Sequence, residues 1–192
     1  NGTDQGTQWT QLEFDDSTWP TGMGHMGFGD GDEDTVLTPG FITYYFRKSI
    51  HIDDVSTLGN KVYLHVVHDD AAVLHINGTE VARSALMPSG PYNYMTGTRT
   101  FVPNSIENHF FTYEIDASYF QEGDNIIAIE VHNQNASSSD VSFDAYIRPT
   151  YDQAYETDGP YVFYEGDTVI VKNITPSGVQ MTTYSQNDEI EL

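Results

Sequence analysis

The clearest pattern of apolar and polar positions runs from residue 61 to residue 83, KVYLHVVHDDAAVLHINGTEVAR. Apolar and polar residues alternate in its first part, which is the period of two expected of a half-buried strand. A second apolar run ends at Asn77-Gly78, the dipeptide most typical of a two-residue hairpin turn. The segment therefore predicts a hairpin of two strands with an acidic tip at Asp69-Asp70, and a third strand after the Asn-Gly turn.

The same kind of pattern recurs along the rest of the chain. Strands are predicted at 41–52, 110–116, 126–134 and 141–149, with two more at 161–174 and 179–184. Residues 22–31 contain too many glycines for a helix or a regular strand and are predicted to be a shaped loop. Prolines and glycines predict a long loop over 86–110, and loops of that length are usually functional or mobile. No segment has a helical period, so we expect an all-β sandwich over 1–149, with a linker and a short β tail over 150–192.

That tail either packs on the sandwich or begins a second domain.

Charge changes this picture most. The 192 residues contain 29 Asp and Glu against 7 Lys and Arg, which gives a formal net charge of −22 at pH 7. Nucleic acid and anionic membranes are therefore poor partners, because binding to phosphate depends on Lys and Arg. Either the acidic surface is simply solvated, or some carboxylates are collected to hold Ca²⁺. There are no cysteines, so neither disulfides nor thiol chemistry contribute.

Targeting signals are not visible in the sequence. No apolar run approaches the ~20 residues that a membrane-spanning helix needs, so we expect no membrane insertion. The chain starts at Asn1 rather than Met, which favours a processed product.

A series of motifs in fixed order carries a family resemblance. They are FDDSTWP, GFGDGD, YYFRKSIHI, VVHDDAAVLHINGTEVAR, EGDNIIAIEVHNQ and SSSDVSFDAYI. Over residues 9–148 this series resembles the galactose-binding-like jelly-roll modules that accompany secreted bacterial hydrolases and phosphoesterases. The resemblance implies a jelly-roll β-sandwich, a secreted, extracellular or cell-surface location, and a polysaccharide or glycan as partner. The chain departs from the family pattern at His25-Met26, before Gly-Phe-Gly, and at Ala71, after the Asp pair.

Candidate ligand-binding residues fall in loops and at strand ends. Aromatic rings are natural platforms for sugars, because the C–H faces of a pyranose stack on them. The candidates are Trp19, Tyr92, Tyr94, His68, Asp69, Asp70, His132 and Asn133. Trp19 also fits a core anchor, and Asp69-Asp70 also fits turn chemistry, since Asp side chains cap their own backbone. The loop 86–110 is the preferred place for a ligand.

A calcium site is the second candidate. Residues 30–34 place carboxylates in alternation at Asp30, Asp32 and Asp34, as loops that bind hard cations do. The EF-hand pattern fails, because Thr35 stands at its sixth position and Phe41 at its twelfth. A structural Ca²⁺ site of another type, completed from a distant loop such as that of Asp140 or Asp144, is the alternative to an acidic loop that is simply solvated.

Other chemistry has little support. His65, His68 and His75 lack the HxxxH or HxH spacing of zinc ligands. The sequence contains no G-x-S-x-G, H-E-x-x-H or P-loop motif. We therefore expect a non-catalytic carbohydrate-binding accessory module, with a catalytic domain as a candidate partner in the same chain. The first alternative is a structural spacer adjoining a catalytic domain such as a metallophosphoesterase, and the second is an enzyme in its own right.

Overall fold

The protein is an all-β sandwich. The computed structural model describes residues 2–103 and 105–149, and the backbone alone of 160–165, 168–175 and 178–185. The strands are β1 (Met26–Phe28), β2 (Thr35–Val36), β3 (Thr43–Ile52), β4 (Lys61–His68), β5 (Ala71–Ile76), β6 (Thr79–Arg83), β7 (Phe111–Asp116), β8 (Gly123–His132), β9 (Val141–Arg148), β10 (Pro160–Glu165), β11 (Thr168–Thr175) and β12 (Gly178–Ser185). Three short 3-10 turns (Gln8–Thr10, Val55–Leu58 and Ala117–Tyr119) are the helical segments of the described residues. No helix among them is long and apolar enough to cross a membrane.

Two sheets form the sandwich. The first has the strand order β2-β1-β9-β4-β7, and the second has the order β3-β8-β5-β6. All neighbours are antiparallel except β1 and β2, which are parallel. Apart from the short β2, this is the strand order of a jelly roll, in which most consecutive strands pass from one sheet to the other and β5 and β6 form a hairpin within the second sheet.

The hydrophobic core lies between these sheets and follows from the alternation in the sequence. Val62, Leu64 and Val66 of β4 face Leu74 of β5 and Ile129 of β8, and all are almost completely buried. Side chains of a strand point alternately to its two faces, so the period of two places one set of each strand in this core. The strand predictions for residues 41–148 are confirmed to within a few residues.

The junction between β4 and β5 corrects one expectation. Asp69-Asp70 is not the tip of a hairpin, because β4 lies in the first sheet and β5 in the second. Alternation of apolar and polar residues shows that a segment is a strand, but not which other strand it pairs with. It therefore does not reveal that the chain passes from the first sheet to the second between β4 and β5. The Asn-Gly turn is confirmed, since Asn77 and Gly78 have φ of 48° and 87° between the paired strands β5 and β6.

The glycine-rich segment provides a second correction, because β1 runs through it. Gly27 pairs with Ser142 of β9, and a Cβ at this glycine would collide with the carbonyl oxygen of Val141. The glycine therefore permits a close approach of two backbones inside a strand.

The tail contains a separate antiparallel sheet of order β10-β11-β12. The single strand predicted at 161–174 is two strands in the structure, β10 and β11. The linker predicted before β10 lies outside the described residues, and the relation of the tail to the sandwich stays a prediction.

Candidate functional site

Loops from three parts of the chain meet at one end of the first sheet and bring carboxylates together. One carboxylate oxygen from each of Asp30, Glu107 and Asp140 lies within 4.8 Å of the other two. Asp30 follows β1, Asp140 precedes β9, and Glu107 belongs to the long loop between β6 and β7. Oxygens of Asp30, Asp32 and Glu33 form a second, overlapping group with the same limit. We call the residues of both groups the carboxylate cluster.

Glu107 is the buried member of the carboxylate cluster. It is 8% exposed, whereas Asp30 is exposed and Asp140 is half-buried. Burial, together with the nearby charges of Asp30, Asp140 and Asp32, raises the pKa of Glu107. Sequence reasoning missed this residue, because a single Glu in a proline-rich loop carries no spacing signal.

The loop of residues 30–34 is shaped by its own side chains. Glu33 accepts hydrogen bonds from the backbone N–H groups of Asp30 (3.0 Å) and Gly31 (3.1 Å). Ser142 donates to the Asp30 carboxylate at 2.9 Å. Of the predicted metal ligands, Asp30, Asp32 and Asp140 join the carboxylate cluster, whereas Asp34 and Asp144 are in neither group. Metal binding itself stays a prediction.

Asp69 and Asp70 are buried beside this end of the sheet. The Asp70 carboxylate accepts backbone N–H groups from Val102 at 2.9 Å and Gln134 at 2.7 Å, so it connects two loops. Burial and the adjacent charge of Asp70 raise the pKa of Asp69 well above its ordinary value. The Asp70 carboxylate therefore binds the backbone of two distant loops rather than that of its own turn.

The outer face of the second sheet holds another predicted group, beneath the long loop. Tyr92 is half-buried there and donates its hydroxyl to Glu130 at 2.7 Å. The His132 ring lies 3.2 Å from the same carboxylate through Nε2 and 2.9 Å from the Thr96 carbonyl through Nδ1. Tyr94 is half-buried and packs with the cluster around Trp9. The loop tyrosines are thus partly covered by internal contacts, and ligand binding by them stays a prediction.

Two further candidates are buried. His68 contacts Tyr113 Oη at 2.7 Å and the Asp70 carbonyl at 3.2 Å, and complete burial lowers its pKa to about 4. It is therefore neutral at pH 7 and satisfied by its neighbours. Asn133 is also buried, and its amide nitrogen lies 3.4 Å from the carbonyl oxygen of Phe41. The described structure thus gives both side chains internal partners.

Trp19 lies elsewhere, at a cleft along the edge where the sheets separate. The cleft has a volume of about 650 Å³. Its wall includes the rings of Trp19, Tyr45 and Tyr146 and the polar groups of Asp16, Lys48 and Asp144. Core residues such as Ile129 and Phe143 form its floor.

Trp19 is half-buried and stacks on the buried Trp9, with ring centroids 6.5 Å apart. The cleft combines an apolar floor, aromatic walls and a few polar groups, as small-molecule sites do.

Comparisons with known proteins leave the family open. No family model matches the sequence, and no curated protein matches it. Among solved structures, a β-glucuronidase from glycoside hydrolase family 2 is 16% identical over 99% of this chain and 24% of the enzyme, with a TM-score of 0.45. A calcium-binding mutant of Bacteroides uniformis β-glucuronidase 2 is 14% identical over 98% and 25% of the two chains, with a TM-score of 0.44. A β-glucuronidase from Ruminococcus gnavus is 9% identical over 74% and 24%, with a TM-score of 0.35. This chain spans about a quarter of the length of these structures, and overlaps this loose carry no argument about function.

Proposed function

We propose that this chain is a non-catalytic carbohydrate-binding accessory module of a secreted protein. The observation that carries the proposal is the cleft beside Trp19, whose volume of about 650 Å³ falls in the usual range of ligand sites. The resemblance to galactose-binding-like modules points to the same class of ligand. Stabilisation of the module by Ca²⁺ at the carboxylate cluster is part of the same proposal.

The cleft has the two kinds of group that sugar binding requires. The Trp19 ring is held by stacking on Trp9 and by edge contact with Phe14, so its orientation is fixed before a ligand arrives. Lys48 and Asp144 lie on the wall and offer a donor and an acceptor for hydroxyl groups. A ring face with fixed orientation and a polar rim would bind the apolar face of a pyranose and orient its hydroxyls.

Binding to polysaccharides tests this proposal directly. The chain is screened on a glycan array and by affinity electrophoresis in plant and marine polysaccharides, and the best ligand is then titrated by calorimetry. Trp19→Ala should weaken binding at least tenfold, about 1.4 kcal/mol, through loss of the stacking face. Trp19→Phe should retain part of the affinity, because it keeps an aromatic ring.

Tyr119→Ala is the matched control, because Tyr119 is exposed and does not line the cleft. Its affinity should equal that of the wild type. A chain that binds no glycan in either screen, or a Trp19→Ala variant that binds as tightly as the wild type, would contradict the proposal.

The spacer alternative has one observation in its favour. Tyr92 and His132 are both candidates for ligand contact, yet Tyr92 donates its hydroxyl to Glu130 and the His132 ring accompanies the same carboxylate at 3.2 Å. If the loop aromatics serve internal packing rather than ligand binding, the module would act as a structural spacer next to a catalytic domain. The glycan screens separate the two functions, since a spacer binds none.

A further inference from the structure

We propose that the glycan of the cleft beside Trp19 carries negatively charged groups, carboxylate or sulfate, and that Lys48 binds one of them. This inference rests on the proposed function and names the class of glycan for the same cleft. The chain has 29 acidic residues against 7 Lys and Arg, so an acidic partner for every basic side chain is easily found. Lys48 lines the cleft without one.

The ammonium group of Lys48 is free within the described part of the chain. The residue is exposed on β3, and none of the described residues forms a hydrogen bond or an ion pair with it. By contrast, Arg47, Lys61 and Arg83 each form an ion pair with a carboxylate of the molecule. An unpaired ammonium group in the wall of a cleft is available to a ligand.

Arg47, the neighbouring basic residue, is already used by the fold. Its side chain is 3% exposed, and its Nε donates to Asp16 at 2.8 Å. Its Nη1 donates to the carbonyl oxygens of Trp9 and Gln11. The guanidinium group thus fastens the N-terminal segment to β3. Among the described residues that line the cleft, this leaves Lys48 as the free positive charge.

The carboxylates of the wall do not neutralise Lys48. Asp16 pairs with Arg47, and neither Asp16 nor Asp144 forms an ion pair with Lys48. One oxygen of Asp144 accepts the backbone N–H group of Ala145 at 2.8 Å, and its other oxygen is open to a hydroxyl group of a ligand. The wall therefore presents a separate cation and a separate hydrogen-bond acceptor.

The backbone edge of β9 adds neutral hydrogen-bonding groups to the cleft. β9 pairs with β1 only through residues 141–143, so 144–148 have no strand partner on this side among the described residues. The Ser142 carbonyl accepts the N–H group of Asp69 on the β4 side at 3.0 Å. Because backbone groups of a strand alternate between its two edges, Ile147 directs its N–H and C=O to the cleft side. Sugar hydroxyls suit these groups, and Lys48 remains for a charged substituent.

Electrostatics favours an anionic substituent at Lys48 over a hydroxyl group. A sugar stacked on Trp19 removes part of the water around the ammonium group, and a charge that loses water is costly unless it is paired. A carboxylate or sulfate supplies the opposite charge, and hydrogen bonds between ionised groups are about twice as strong as neutral ones. The net charge of −22 repels polyanions at long range, but salt at 0.15 M screens charges beyond about 8 Å. The local pair then decides the preference.

Matched pairs of polysaccharides test the inference in the presence of salt. Polygalacturonate is compared with its carboxyl-reduced form, and carrageenan with its desulfated form, by affinity electrophoresis and calorimetry at pH 7. We expect at least one charged polymer to bind at least tenfold more tightly than its neutral counterpart, and the two pairs distinguish carboxylate from sulfate. Lys48→Gln should remove that preference and leave the affinity for the neutral counterpart unchanged, whereas Lys48→Arg should retain it.

Lys61→Gln is the matched control. Lys61 is exposed on β4 and does not line the cleft, yet its substitution removes the same charge. Binding by this variant should equal that of the wild type. If Lys61→Gln weakens binding of the charged polymer as much as Lys48→Gln does, the glycan responds only to the overall charge and the inference fails.

The outcomes separate this inference from the proposed function. Circular dichroism verifies that Lys48→Gln is folded, as expected for an exposed position. Equal, Trp19-dependent binding of the charged and neutral forms would overturn the role of Lys48 and leave carbohydrate binding intact. The same holds if folded Lys48→Gln binds the charged polymer like the wild type. A chain that binds no glycan in any screen contradicts the proposed function, and the inference falls with it.

Discussion

At the scale of single residues, Asp69 and Asp70 show how environment separates two identical neighbours. The Asp70 carboxylate accepts hydrogen bonds from two backbone N–H groups, those of Val102 and Gln134. The pKa of Asp69 is raised. Burial of Asp69 is the larger cause, and the neighbouring Asp70 carboxylate is the second cause. The sequence predicts the turn chemistry of the pair, since Asp side chains favour turns. It does not reveal the two hydrogen bonds to Asp70, because the donors Val102 and Gln134 are 32 and 64 residues away from it.

Substitution of Asp69 by Asn should therefore change how stability depends on pH. The pKa of Asp69 is raised in the folded state, whereas it is about 4 in the unfolded state. At pH values between these two pKa values, the folded state binds more protons than the unfolded state. The contribution of Asp69 to the free energy of unfolding thus decreases as pH rises through this window. Asp69→Asn removes that decrease and should be more stable than the wild type at pH 8 but not at pH 4. Urea unfolding in EDTA at a series of pH values measures the difference.

Asp70→Asn is the informative comparison for that experiment. An amide offers one oxygen where the carboxylate offers two, so one of the two backbone N–H groups loses its acceptor. We expect Asp70→Asn to be destabilised by about 1–3 kcal/mol at neutral pH. An Asp69→Asn variant whose stability follows the wild-type pH curve would show that Asp69 is ionised in the folded protein.

At the scale of elements, the long loop between β6 and β7 covers the outer face of the second sheet. β8 is buried on both faces, as its nearly continuous apolar run predicts. One face packs in the core, and the other lies under Trp9 and the loop residue Tyr92. The loop residue Met87 covers the neighbouring strand β5. The sequence shows that β8 needs a cover but not which segment supplies it. For this reason, the loop tyrosines were expected to face a ligand, although Tyr92 donates to Glu130 within the molecule.

Removal of the Tyr92 hydroxyl should loosen this loop. Tyr92→Phe deletes the 2.7 Å hydrogen bond to the buried Glu130 carboxylate, which retains the neighbouring His132 ring. We expect a loss of about 1–3 kcal/mol in the free energy of unfolding, the usual cost for a bond to a charged group. Urea unfolding measures the loss, and limited proteolysis should show faster cleavage in the loop.

Tyr119→Phe controls for the chemistry of this substitution. Tyr119 is 40% exposed, and we expect a change within about 0.5 kcal/mol. Equal effects of the two substitutions would mean that the bond between Tyr92 and Glu130 does not hold the loop.

At the scale of the whole molecule, the order of the strands decides which loops meet. β1 and β9 are neighbours, so the loop after β1 and the loop before β9 lie together and bring Asp30 near Asp140. Local alternation predicts Asp30, and a distant loop was expected to complete the site. Glu107 could not be predicted, because its position depends on how the long loop folds over the end of the sheet. Periodicity thus predicts strands well, whereas the composition of a site depends on contacts between segments far apart in sequence.

The sandwich should fold without the tail. Its buried core cluster lies between Phe28 and Phe143, and no strand of the tail sheet pairs with a strand of the sandwich. A chain of residues 1–149 is therefore expected to unfold cooperatively, with a thermal midpoint within about 4 °C of that of the full chain, equivalent to ~1 kcal/mol. Calorimetry and circular dichroism of both chains measure this.

A chain of residues 1–140 is the counterpart that should fail to fold, because it lacks β9, which pairs with both β1 and β4. If the 1–149 chain also lacks a cooperative transition, the tail packs on the sandwich and belongs to the same domain. If it folds as expected, the sandwich does not need residues 150–192 in order to fold.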